Sequence, residues 1–409
     1  MKLYLDDKHE RLRAEVREFA EGEIAPVAAG LDEDSRFPWD NVARMAERGY
    51  FGVNVPEEYG GLSLDYLSYL LVIEEVSRAD ASHGITISAH STLGMSPILS
   101  FGTEEQRRRY VPLLASGQVL GGFGLTEPGA GSDSAGSRTI AVRENGGWKV
   151  SGSKIFITHA GVGEVFVVTA VTDRDLGPRG ISSFIVTKPT TDPEEARRVG
   201  VGHAEELAPY TPGVRAGKKE DKMGWRASDT RELLLDGAEV PGDNLLGGEG
   251  EGFINFMKTL DAGRIGISAL ALGLAQGALD EALRFSGRRR QFDRPIRDFQ
   301  GVQFALADMA TEIEAGRHLT YHAAWLKERG EPFGKQASMA KLYTSELAMR
   351  TTTRAVQLMG GYGYTNEYPV ERMMRDAKVC EIGEGTSEIQ RMVIARTLFH
   401  EEEAQPPAE

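Results

Sequence analysis

Along this 409-residue chain the hydrophobic pattern changes its period twice, and those two changes constrain the fold more than any single motif does. Up to about residue 118 the apolar positions recur at helical spacing. Leu12, Val16, Phe19, Ala20 and Ile24 form one stripe, and Tyr66, Leu67, Leu70, Leu71, Ile73 and Val76 another. Residues 84–99 are apolar nearly all round, which marks a buried helix. From Val119 to about Pro241 β-branched residues, glycines and turn signals dominate, and Asn145-Gly146 between two β-rich runs is a hairpin signal. From Gly252 helical spacing returns in four long stretches, 253–285, 299–328, 335–359 and 387–399, the pattern of a four-helix bundle. A segment of helical period does not rest as a strand. The expectation is a mostly α chain with a β domain in its middle. An all-helical domain covers 1–118, a small antiparallel sheet structure 119–245, a helical bundle 246–400 and a polar tail 401–409. Residues 189–217 lack periodicity and read as an inserted surface excursion.

Local signals place several helix ends. Asp6 or Asp7, Ser63, and Thr103 with Gln106 three residues on, read as caps. Pro38 suits a first helical position and Gly49 a helix exit.

Composition narrows the function classes. The formal charge of -14, from 61 acidic and 47 basic residues, argues against a general nucleic-acid binder, which needs clustered Lys and Arg. One cysteine, Cys380, leaves no partner for an internal disulfide. The first thirteen residues carry no apolar core, and no uninterrupted apolar run reaches membrane-spanning length, so a cytoplasmic protein without a membrane span is expected.

Among the motifs, Gly383-Glu384-Gly385 sets one carboxylate between two glycines, which permit positive φ and close approach of a flat ligand. Ser387 with Gln390 reads as a capping box opening a helix whose N-terminus could hold a phosphate. An acidic loop in solvent is the other reading. Residues 125–133, Leu-Thr-Glu-Pro-Gly-Ala-Gly-Ser-Asp, are either a connecting loop or one that brings N–H groups and hydroxyls against a planar cofactor. Their glycine spacing is not the dinucleotide fingerprint, and Gly152-Ser153-Lys154 is not a P-loop. Residues 154–158 alone read as sheet core. Asp261-Ala262-Gly263-Arg264 offers a fixed cation to a polyphosphate, or simply a solvated Arg. His318 and His322 have metal-ligand spacing without a Glu or Cys to complete a site, so no metal is expected. No Gly-x-Ser-x-Gly elbow supports a serine hydrolase.

Taken in order, residues 125–133, 154–158, 219–230 (Lys-Glu-Asp-Lys-Met-Gly-Trp-Arg-Ala-Ser-Asp-Thr), 289–296, 357–363 (Gln-Leu-Met-Gly-Gly-Tyr-Gly) and 384–391 resemble the acyl-CoA dehydrogenase family. The resemblance runs from about residue 5 to residue 400 and fails only near 190–214. It implies an N-terminal helical domain, a middle antiparallel β-barrel-like domain and a C-terminal four-helix bundle. It further implies a homotetramer, with FAD shared across a dimer contact.

Position by position, the resemblance makes Glu384 the base that removes the α-proton of an acyl-CoA while the β-hydrogen leaves as hydride to flavin N5, giving a trans-2-enoyl-CoA. Leu125, Thr126, Gly131 and Ser132 would contact the flavin, with Phe156 and Thr158 close to the ring. Arg289 and Phe292, with Gln357 and Gly361 of a partner subunit, would bind the adenine and pyrophosphate end. Thr386 and Glu388 fall on the cofactor side. Ser132, Asp261, Arg264, Gly383 and Gly385 fall on the substrate side. Electrons would pass to an electron-transfer flavoprotein, and the substrate would be a short or branched acyl-CoA.

The chain departs from the family pattern at several points. Gly383 stands where Tyr is usual, which removes a ring from the acyl pocket wall; Phe156 replaces a frequent Trp, His159 an Asn and Asp293 a Gly. Branches that carry the base on the first bundle helix have it at the position of Gly263, which leaves Glu384 without a rival. Residues 83–93 hold no Lys or Arg, so decarboxylating chemistry is not expected. An acyl-CoA oxidase and a DNA-associated member of the same superfamily are the alternatives.

Overall fold

The structure, a computed structural model, describes residues 3–202, 207 and 209–403. Helix α1 (Asp7–Phe19) begins at Asp6, whose carboxylate accepts from the N–H groups of Lys8 and His9. The His9 ring accepts the Asp6 N–H in return, closing a capping box. A π-helical turn (Ala20–Ile24) leads to α2 (Ala25–Glu33), α3 (Trp39–Glu47), α4 (Tyr66–Ala79) and α5 (Ala81–Ser88). A second π-turn (Ala89–Met95) then leads to α6 (Ser96–Phe101) and α7 (Glu104–Ala115). The Thr103–Gln106 box forms as expected. The cap of α4 is Asp65 rather than Ser63: its carboxylate accepts from Ser68 N at 2.7 Å, while Ser63 lies in the preceding turn at φ 52°. A carboxylate beside the first turn also complements the helix dipole. Pro38 sits one residue earlier than expected, before the first helical residue Trp39.

The sheet comprises β1 (Gly121–Gly124), β2 (Ile140–Glu144), β3 (Gly147–Thr158), β4 (Val165–Val171), β5 (Ile181–Thr187), β6 (Val214–Lys219), β7 (Thr230–Val240) and β8 (Leu245–Leu246). Their order is β6-β7-β3-β2-β4-β5-β8, with β1 also on β4. Asn145 and Gly146, both at positive φ, close the expected β2–β3 hairpin. The sheet is mixed rather than wholly antiparallel, since β1 runs parallel to β4 and Ile140 pairs Val171 in parallel. The whole β2–β3 hairpin separates β1 from β4, so no tight turn forces the two to oppose.

Residues 189–217 are more than a surface excursion. They form α8 (Pro193–Arg198), and Ala196 and Val201 join the main core while Leu207 packs with Val111, Val165 and Phe256. Residues 203–206 and 208 lie outside the described residues, as do 404–409 of the expected polar tail.

The C-terminal part holds α9 (Gly252–Arg288), the short strands β9 (Arg290–Gln291) and β10 (Arg294–Pro295), α10 (Gln300–Glu328), α11 (Gly334–Met359), α12 (Val370–Cys380) and α13 (Ser387–Glu403). Helix α12 is one more than the four expected. It buries Val370, Met373, Ala377 and Cys380 at helical spacing. Helix α9 is long and apolar enough to cross a membrane, yet it is almost wholly buried against α4, α10 and α11. One apolar core runs from Val16 and Ile73 through Leu270 and Leu347, tying the first helices to the last, and a second fills the sheet around Trp148, Phe166, Phe184 and Leu233.

Candidate active site

The turn from α12 to α13 carries Glu384 at φ 53°, a left-handed conformation uncommon for a side-chain-bearing residue. Gly385 follows at φ 91°; Gly383 is not left-handed, so positive φ falls on the carboxylate residue and the second glycine rather than on both glycines. Two buried side chains hold the turn. Gln390 Nε2 donates to the carbonyls of Glu384 (3.3 Å) and Gly385 (2.8 Å), and Lys341 Nζ donates to that of Gly385 at 2.7 Å.

The expected Ser387 cap is corrected. Helix α13 already includes Ser387, so the preceding residue takes the role: Thr386 Oγ1 accepts from Ile389 N at 3.3 Å, while Ser387 Oγ is buried without a protein partner. Ser387 N donates to Glu381 O and Gln390 N to Thr386 O, so part of this helix start is tied to its own turn. Glu388 is exposed beside it.

Glu384 Oε2 is buried and has no hydrogen-bond partner. Room for it comes from Gly263 of α9, where a Cβ would overlap that oxygen and touch Leu93 at 3.5 Å. Burial pushes the Glu384 carboxyl up to about 7, against the opposing pull of Lys341 and Arg264. Tyr66 and Tyr69 of α4, both buried, feel its charge. Arg264 was expected to offer a cation to a polyphosphate. It is only 2% exposed, pairs with Asp261 and donates to Ser338 Oγ at 3.4 Å, so it faces the bundle interior and Glu384. Asp261 is the more accessible of the two.

The flavin-side candidates lie on the sheet. Leu125 and Thr126 are half-buried and Gly131 and Ser132 exposed, on a loop anchored by buried Glu127. Glu127 accepts from Lys154 Nζ at 2.7 Å, Ser137 Oγ at 2.5 Å and the N–H groups of Arg138 and Thr139. Burial alone would raise its pKa, but Lys154 and these donors outweigh it and hold it at about 2. Phe156 is not sheet core. The β3–β7 register breaks between Lys154 and Ile157, and Phe156, at φ 58°, stands 62% exposed next to half-buried Thr158. His159 donates through Nδ1 to Gly121 O at 2.8 Å.

The adenine-side candidates lie elsewhere, at the far end of the bundle. Arg289 and Gly361 line a cleft of about 680 Å³ with Gln291, Gly360, Tyr362 and Thr365. Phe292 is 85% exposed and Gln357 exposed. A Cβ on Gly360 or Gly361 would meet nothing within 4 Å, so the backbone there is open to a ligand, with the Arg289 guanidinium over the Tyr362 ring at 5.3 Å. Hydroxyls and an exposed ring on the sheet, with a cationic cleft of bare backbone on the bundle, form a donor set that fits the two ends of a flavin dinucleotide. Reading the sequence missed Lys341, Tyr66 and Tyr69. For Lys341 the signal was present, a charge within the small-residue stripe Ala337, Ala340, Thr344 and Ala348.

Three family descriptions match the chain: "Acyl-CoA dehydrogenase, N-terminal domain" over residues 6–118, the middle domain over 122–238 and the C-terminal domain over 250–399. A short-chain specific acyl-CoA dehydrogenase of Clostridium acetobutylicum is 47% identical, over 98% of this chain and 100% of its own. Butyryl-CoA dehydrogenase of Megasphaera elsdenii superposes with a TM-score of 0.90 at 42% identity, covering 97% of this chain and 99% of the other. A chain solved in a study of the electron transferring flavoprotein of Acidaminococcus fermentans gives 0.91 at 46% identity, with coverage of 97% and 99%.

Proposed function

Since the chain belongs to the acyl-CoA dehydrogenase family and is an FAD-dependent enzyme that dehydrogenates an acyl-CoA, we propose that Glu384 is its base and that its substrate is a short or branched acyl-CoA. The observation that carries the assignment is the partnerless Oε2 of Glu384 in the notch left by Gly263. A carboxylate whose Oε2 is removed from water and given no donor keeps its basicity, and a pKa of about 7 suits a base working near neutrality.

The α-proton moves to that oxygen. Among the described residues, the turn's own hydrogen bonds leave the Glu384 N–H free, so it can donate to the thioester carbonyl as negative charge develops there. Bound FAD supplies the acceptor for the β-hydride. Leu125, Thr126, Gly131, Ser132, Phe156 and Thr158 would hold its flavin end; Arg289, Phe292, Gln357 and Gly361 the adenine and pyrophosphate end; Thr386 and Glu388, at the Glu384 turn, lie on the cofactor side. The sheet groups and the bundle-end groups belong to different faces, which supports sharing between two chains of a homotetramer. Exposed Met392, Leu398 and Phe399 on α13 support such an assembly. Ser132, Asp261, Gly383 and Gly385 would meet the substrate; Arg264 acts from behind the base. Leu93 beside the notch and the buried rings of Tyr66 and Tyr69 favour a short acyl chain, and the short-chain and butyryl-CoA relatives point the same way. We read an electron-transfer flavoprotein as the acceptor and the cytoplasm as the location. The dehydrogenase relatives favour neither the oxidase nor the DNA-associated alternative.

Anaerobic titration with a panel of acyl-CoA esters, following flavin absorbance, tests this. Glu384→Gln is expected to retain FAD and lose bleaching by about a thousandfold or more. Bleaching at near the wild-type rate would overturn the assignment.

A further inference from the structure

Lys341 sits in the buried stripe of α11, is 0% exposed and makes one hydrogen bond, to the Gly385 carbonyl. Among the described residues no carboxylate forms an ion pair with it. An ammonium buried without a counter-ion is costly, so its position calls for a reason beyond packing.

The groups around the base supply that reason. From α4 come Tyr66 and Tyr69, whose phenols burial keeps neutral. From α9 comes Arg264, matched by its own partner Asp261. From α12 and the turn come Cys380, whose thiol burial pushes up to about 12, and Glu381, paired with Lys378 at 2.6 Å. From α13 comes Glu388, exposed to solvent. Lys341 is thus the one cation of the set without an anion of its own, and Glu384 the one carboxylate of the set with a buried oxygen that lacks a donor. Burial pulls the Lys341 ammonium down only to about 8, so it is charged at neutral pH.

We propose that Lys341 is a positioning residue for the base: anchored on the Gly385 carbonyl, it locks the turn that carries Glu384 and supplies the positive charge that keeps that carboxylate ionised in a dry slot. This rests on Glu384 being the base. A nearby cation favours the ionised form, so removing it raises the Glu384 pKa and moves the acidic limb of the pH profile to higher pH.

The test compares the holoenzyme with Lys341→Met, which removes both charge and donor, and Lys341→Gln, which keeps a donor for Gly385. Flavin bleaching by butyryl-CoA is followed against pH, and the infrared band of the protonated Glu384 carboxyl, identified by its loss in Glu384→Gln, is titrated without substrate. Both variants are expected to move limb and band together upward by about one pH unit. A lower plateau with limb and band in place would overturn the proposal. If Lys341→Met does not fold, Lys341→Gln decides alone by the same readings. Glu384→Gln separates the failures: if it still bleaches, the base assignment is wrong; if it is dead while the Lys341 variants titrate like wild type, only the role of Lys341 is wrong.

Discussion

Gly263 of α9 and Glu384 of the α12–α13 turn share one space: a methyl group on the glycine would overlap Oε2 of the carboxylate. The absence of a side chain on one helix is what lets the carboxylate stand where it does. Gly263→Ala is therefore expected to retain FAD and near-normal stability while displacing the proposed base. The rate of anaerobic flavin reduction should fall by about a hundredfold, the scale of a small misplacement of a reacting group. A rate within a few-fold of wild type in stopped flow would show that the carboxylate shifts without consequence.

The raised pKa of Glu384 fixes the sign of the pH dependence. Burial favours the protonated form, so the carboxylate is lost as pH falls through about 7, and with Glu384 as the proposed base the reductive half-reaction should climb through that value to a plateau above it. A rate flat from about pH 5 to about pH 8 would contradict the buried environment.

Asp376 of α12 is buried, accepts from Trp225 N at 2.6 Å and is pushed up to about 7, first by burial and then by Asp80. An acid raised in the folded state favours folding below its unfolded value and loses that contribution as pH rises through about 7. Asp376→Asn keeps an acceptor for Trp225 and removes the charge. It should exceed the wild-type denaturant midpoint only slightly at about pH 5 and by clearly more at about pH 8, in urea unfolding at the two values.

Lys154 and Glu127 form a buried pair under the loop of residues 125–133. Lys154→Met leaves Glu127 ionised and unmatched, which costs about 3–5 kcal/mol. FAD content should fall with it, because Glu127 also holds Ser137, Arg138 and Thr139. Adding Glu127→Gln should recover part of the loss in a denaturant series.

Gly383 has no conformational need for glycine, and a Cβ there would meet only Val379 O at 3.6 Å. Gly383→Tyr should fold, bind FAD and favour butyryl-CoA over isobutyryl-CoA relative to wild type. An unchanged ratio of kcat/KM for the two esters would reject a role for this position in pocket width.

The helix, sheet, helix order was legible because burial writes its period into the sequence, as in Leu70, Ile73 and Val76 on one face of α4. Glu384 stood out because glycines on both sides of a carboxylate are uncommon punctuation. Less legible was anything set by a neighbour distant in sequence. Ser63 and Ser387 are cap-forming residue types, whereas Asp65 and Thr386 hold the role by lying directly before the first helical residue. Arg264 looked like a solvated or ligand-facing cation; that it turns inward to Asp261 and Ser338 depends on α11, more than sixty residues on. The parallel pairing of β1 with β4 likewise follows from a hairpin inserted between them, which no local pattern records.

The left-handed backbone at Glu384 has an evolutionary consequence. Glycine there would relax the φ of 53° and abolish a buried oxygen without a donor, so Glu384→Gly should yield a sturdier protein that has stopped turning over. If Glu384 is the base proposed above, the fold on its own selects against that residue, and only continued demand for the reaction keeps the carboxylate in place.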